Sequence, residues 1–204
     1  LFDPLKVAPP DMVARIEPLL ATNGYTFDGL VRRFDRGEDG SLYYYVESAK
    51  AETWSEGIKK MLSERWPGVA FECRYRGYDV TVGLFADGQG TTLVLDHDSV
   101  LFYELEKDED TYREWLSMLL AMVAALAPSI GVFRKGGLKE AIVAATVLDA
   151  LRSGAMQRLR KPILLIVRGD LLPYEEAVAL PIERAKTFST TSGYTVISTL
   201  HWDA

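Results

Sequence analysis

Four short strand-like runs follow one another at 69–76, 78–86, 91–96 and 99–105. The links between them, Arg76-Gly77-Tyr78, Asp87-Gly88-Gln89-Gly90 and Asp96-His97-Asp98, are turn chemistry. Glycine supplies the positive φ that a tight reversal needs, and Asp folds its carboxylate back onto its own backbone. Strands joined by links this short pair antiparallel with their neighbours, so the spacing predicts a four-strand meander. Such a sheet needs one face covered. Two helical patterns downstream can cover it. Residues from about Asp108 to Ala127 are apolar nearly all round after Trp115, and a second helix over about 137–153 turns Leu138, Ile142, Val143, Val147, Leu148 and Leu151 to one side.

The flanking segments complete the order. Pro9-Pro10-Asp11 opens a helix with Met12, Ile16 and Leu19 on one face, and Pro18 predicts a kink or two short turns within it. Runs at 30–34 and 41–48 read as a hairpin across a polar link. Thr53-Trp54-Ser55-Glu56 is a capping box opening a helix to about Trp66. The apolar run 162–167 fits a central strand, Leu172 to Glu176 a short helix start, and 183–191 with 194–201 a last hairpin. Segregated strands and helices predict an α+β fold. The expected architecture is a twisted, mainly antiparallel sheet with helices packed on one face, and residues 1–204 forming one domain.

One cysteine leaves no disulfide within the chain, so the fold must rest on its core. Cys73 alternates in phase with Phe71 and Tyr75 and reads as a core-facing strand residue. The absence of a disulfide framework suits a reducing, cytoplasmic setting. The longest apolar stretch, Trp115 to Ala127, is shorter than the roughly 20 residues a bilayer span requires. A net charge of -6 disfavours nucleic acid and anionic membranes as partners. No cofactor is expected from these residues.

The sharpest motif is Leu93-Val94-Leu95-Asp96-His97-Asp98, an apolar strand ending in two aspartates. With Ile163-Leu164-Leu165-Ile166-Val167-Arg168-Gly169-Asp170 it resembles the haloacid-dehalogenase-type phosphotransferases. The resemblance implies a magnesium-dependent phosphotransferase or hydrolase, with Asp96 as nucleophile and Asp96, Asp98 and Asp170 about the metal. The aspartate pair also resembles the sugar-nucleotide metal site of some glycosyltransferases. The competing reading is a hairpin turn rich in Asp, which needs no metal. The metal reading requires the ends of strands 91–96 and 163–168 to lie side by side.

Arg134-Lys135-Gly136-Gly137 puts basic residues and glycines at a helix start, where backbone N–H groups can hold an anion. A tight loop between helices explains the same residues. His97 and His201 have no Ser or Cys partner that the sequence identifies. Charge is unevenly spread. From Asp87 to Glu114 there are nine acidic residues against two basic ones, which points to a surface for a basic protein. Part of that cluster is also expected to stabilise a helix N-terminus.

These readings favour a protein-binding module over an enzyme. The expectation is a small acidic inhibitor or immunity-type protein that occludes a toxin or enzyme. Glu104, Glu106, Asp108, Glu109 and Asp110 would steer the partner, and Tyr44, from the run Tyr43-Tyr44-Tyr45, would add contact area. A secretion chaperone shares the same small acidic profile.

Overall fold

The two-residue link Arg76-Gly77 sets the first sheet. Both residues take positive φ, 50° and 84°, as in the hairpin turn whose twist matches that of its strands. Around it a computed structural model describes residues 9–36, 43–61, 68–87, 90–134, 144–155, 162–182 and 185–200. Strand β3 (Gly68–Tyr75) pairs with β4 (Tyr78–Asp87) from Tyr75↔Tyr78 to Gly68↔Phe85, and β4 with β5 (Gly90–His97) from Val80↔His97 to Asp87↔Gly90. On the far side of β3 lie β1 (Tyr25–Arg36) and, at the edge, β2 (Tyr43–Lys50), giving an antiparallel sheet of order β2-β1-β3-β4-β5.

Alternate residues of this sheet, among them Phe71, Cys73, Val82 and Leu93, join one core with α1 (Pro9–Thr22), α2 (Trp54–Met61) and α4 (Glu109–Leu126). Met12, Ile16, Ile58, Trp115 and Met122 are their main contributions. Both Pro18 and Ala14, whose carbonyl loses its donor to the proline, are exposed, and α1 runs on to Thr22.

A second antiparallel sheet has the order β6-β7-β9-β8. Its strands are β6 (Ile130–Arg134), β7 (Pro162–Arg168), β8 (Lys186–Ser189) and β9 (Tyr194–Ser198). Leu164, Ile166 and Val196 enter the first core, while Leu165, Val167 and Ile197 turn the other way. There they meet Val147, Leu148 and Leu151 of α5 (Ala144–Arg152) and Ala177 of α6 (Tyr174–Val178). Strand β7 is buried on both faces, which is why its sequence is continuously apolar. The fold is α+β, with helix α4 and the first core reaching both sheets.

Three details differ from the sequence expectation. Residues 99–105 are not the fourth strand of the meander; they lie in helix α3 (Ser99–Lys107), with Leu101, Phe102 and Leu105 buried at helical spacing. Asp98 caps that helix, so the expected turn is a strand-to-helix junction. The strands also form two sheets, and the second includes β6, a segment to which the sequence reading assigned no element, paired with β7. No helix among the described residues is long and apolar enough to cross a membrane. The far ends of the helices expected to Trp66 and from 137 lie outside the described residues.

Candidate functional site

The acidic segment forms the β5–α3–α4 corner. Asp98 Oδ1 accepts from Val100 N at 3.0 Å and satisfies a donor that a helix start leaves orphaned. Asp108 does the same for α4, accepting from Asp110 N at 3.3 Å and from the Thr111 hydroxyl. The Thr111 hydrogen bond is the main reason its carboxyl sits below the usual range. Glu104 accepts from the Tyr78 hydroxyl, Glu109 pairs with Arg113 at 2.6 Å, and Glu114 pairs with Arg76. Arg76 also donates to Thr111 Oγ1 at 2.9 Å, so the β3–β4 turn is tied to the first turn of α4. Asp110 is exposed and Glu106 half-buried.

Phe102 and Tyr112 of this acidic segment are buried, whereas Tyr103 is 56% exposed, with Val100, 40% exposed, one turn before it on α3. Tyr44 is not brought to this surface. It lies on β2, opposite Asp35, at the other edge of the first sheet from β5.

The three aspartates of the metal reading stand apart in role and place. Asp96 lies on the sheet face away from the core, paired in register with Thr81, which also pairs with Glu72. Glu72 is itself engaged by Arg32 at 3.0 Å and by the Thr81 hydroxyl at 3.2 Å. Burial first, and then the Glu72 charge, raise the Asp96 carboxyl above its ordinary range. Asp98 is a helix cap, and Asp170 pairs with Arg168 at 2.6 Å in the turn after β7. Strands β5 and β7 belong to different sheets, so the side-by-side arrangement that the resemblance requires is not formed. Among the described residues no group of three or more His, Cys, Asp or Glu is placed to hold a metal ion. Arg134 ends β6, while Lys135, Gly136, Gly137 and His201 lie outside the described residues. The Cys73 thiol is buried in the core and pushed up to about 12, mainly by that burial, which suits a packing role.

Beneath the acidic corner is a feature that sequence reasoning missed. His97, the last residue of β5, turns its ring into the core, with Nε2 2.7 Å from the Tyr25 hydroxyl. Tyr25 is stacked on Tyr75 at 4.4 Å between centroids. Burial pushes the imidazole down to about 4, so the ring is neutral at ordinary pH. The Leu95 backbone bears on the ring in the opposite sense to burial, while Nδ1 lacks a partner in hydrogen-bond geometry. Trp115 Nε1, on α4, is likewise buried without a partner.

Both residues line one cavity at the seam where β5, the edge of the first sheet, meets β6 and β7 of the second over α4. The other walls are mostly apolar: Leu95, Leu119, Phe133, Leu164 and Ile166. The hint in the sequence is slight, an indole donor on the buried side of a largely apolar helix. No family model, curated protein or solved structure matches this chain.

Proposed function

We propose that the chain is a non-enzymatic protein-binding module, a small acidic inhibitor or immunity-type protein that occludes the basic cleft of a toxin or enzyme. The observation that carries this reading is the exposure of Val100 and Tyr103, one turn apart on α3, within the acidic segment Asp87 to Glu114. An exposed aromatic rimmed by charge is the composition of a protein interface. Carboxylates around it steer a basic partner and exclude acidic ones.

Glu104, Glu106, Asp108, Glu109 and Asp110 together supply the field that steers the partner, with Asp110 exposed at the start of α4. Tyr103 takes the anchoring role that the sequence reading gave to Tyr44. The partner is a protein with a basic surface, and its capture involves no bond chemistry.

The test is affinity capture with the whole chain, followed by association kinetics on whatever basic protein is retained. The double swap Glu106→Lys with Asp110→Lys is expected to slow association and flatten its salt dependence, with the fold intact. Tyr103→Ala is expected to speed dissociation. Equal rates for all three proteins would remove α3–α4 as the binding face.

A further inference from the structure

We infer that the free edge of the second sheet, strand β8, pairs with β8 of a second copy of this chain. Two four-stranded sheets then join about a two-fold axis into one continuous sheet. The inference is independent of the acidic surface.

The edges of the two sheets differ in how they are protected. The first sheet ends in β2 and β5, the second in β6 and β8. Strands β5 and β6 line the seam between the sheets. Strand β2 is guarded: its ladder with β1 shifts register between Arg33 and Phe34, and Lys60 Nζ donates to the Lys50 carbonyl at 2.7 Å. A bulge and a charged side chain laid on an edge both discourage further pairing. Strand β8 runs in unbroken register with β9 and contains no proline and no carboxylate. Thr190 N donates to the Tyr194 carbonyl at 2.8 Å, so the Thr190 backbone faces β9. Alternation turns the backbone groups of Phe188 and Lys186 the same way and those of Thr187 and Ser189 outward. Among the described residues no hydrogen bond reaches those outward groups. Such a row of open donors and acceptors is a template for another strand.

Symmetry names the occupant. A two-fold axis normal to the sheet and passing beside Phe188 sets Thr187 of each copy opposite Ser189 of the other. Both pairs have outward backbone groups, so each exchanges both of its N–H···O bonds. Phe188 meets Phe188 of the second copy in the closer, non-hydrogen-bonded position, an aromatic cross-strand pair. Lys186 faces Thr190, so no like charges stand opposite along the strands. The edge is therefore complementary to itself in backbone bonding, side-chain pairing and charge, which is what an isologous contact requires.

The helix layer beside the edge fits the same operation. Helix α6 packs against both β8 and β9, on the face to which Ile197 turns. Neighbouring strands lie about 4.8 Å apart, so a helix seated over β8 and β9 comes to about 10 Å from its two-fold mate, the separation at which helices pack. Two of its five residues are exposed apolar side chains one turn apart, Tyr174 at 42% and Val178 at 55%. A tyrosine and a valine open to solvent beside an open strand are the composition of an interface core. Glu176 of the same helix is already paired with Arg152 at 2.7 Å, which lowers the repulsion between the two copies.

The experiment is sedimentation of the full chain over a concentration series. The average mass is expected to rise from one chain to two as concentration increases. Ser189→Pro deletes an outward N–H and leaves the bonds to β9 in place. Symmetry removes two hydrogen bonds at once, so the dimer Kd should rise about tenfold or more. Val178→Glu sets like charges across the axis and should weaken the dimer in the same direction, at a residue exposed in the single chain. Circular dichroism checks that each variant folds; if Ser189→Pro does not, Val178→Glu decides alone. A chain that stays single at every concentration overturns the proposal and leaves the edge to an extended segment of another protein. A dimer with an unchanged Kd in the folded variants places the contact elsewhere on the molecule and overturns it equally.

Discussion

The α3–α4 corner and the seam beneath it differ in how their polar groups are used. At the corner the sequence is dense with carboxylates, and Asp98, Glu104, Asp108, Glu109 and Glu114 each have a cap, a hydroxyl or a guanidinium as partner. At the seam two uncharged ring nitrogens, on His97 and Trp115, have none. Residues that look functional by charge are largely engaged locally, two of them, Asp98 and Asp108, in holding helix ends. Residues that look structural by burial are the ones with unspent bonding capacity. At the surface an unpaired charge meets water at little cost, whereas an unpaired donor in the core loses its hydration outright.

The contrast can be broken most forcefully at Trp115. Trp115→Ala removes the largest fully buried side chain and is expected to cost about 3–5 kcal/mol, read from denaturant unfolding. A loss near that of an exposed residue would show that the seam is not part of the core.

His97 gives the next effect. Its folded pKa, about 4, lies below the ordinary 6.5, so the unfolded chain binds the proton more readily across that interval. Its contribution to stability is therefore complete above about pH 6.5 and is lost as pH falls through that window towards 4. The loss is on the order of 3 kcal/mol. His97→Gln should flatten the acid limb of a melting-temperature profile between those values; an unchanged limb would place the sensitivity in another group.

A third comparison separates capping carboxylates from free ones. Asp98→Ala should cost about 1 kcal/mol through loss of the α3 cap, and Asp110→Ala less than about 0.5 kcal/mol. Equal costs would mean that the corner carboxylates are interchangeable.

The smallest effect is at Asp96. Burial and Glu72 disfavour its charge, so its folded pKa is raised and its charged form weakens the fold as pH rises through that value. Asp96→Asn should leave the melting temperature at neutral pH unchanged or slightly higher. Calorimetry with magnesium should give the same featureless titration for the wild type and this variant. Micromolar magnesium binding lost in Asp96→Asn would restore the phosphotransferase reading.

What the sequence by itself determined is local. The Arg76-Gly77 reversal, the register it imposes on β3 and β4, the apolar helix after Trp115 and the core phase of Cys73 are all legible, because each depends on residues a few positions apart. Even the double-sided burial of β7 shows as an unbroken apolar run.

The tertiary structure decided the rest. Val100 to Leu105 suits strand and helix periods alike over so short a length, and the Asp98 cap with packing onto α4 selects the helix. The division into two sheets depends on which strands pair. The partnership of His97 with Tyr25 joins residues 72 positions apart, and the isolation of Trp115 follows from what the two sheets do not place beside it. Periodicity records which side of an element is buried, but not what meets it there, and the polar chemistry of a buried site lies in that meeting.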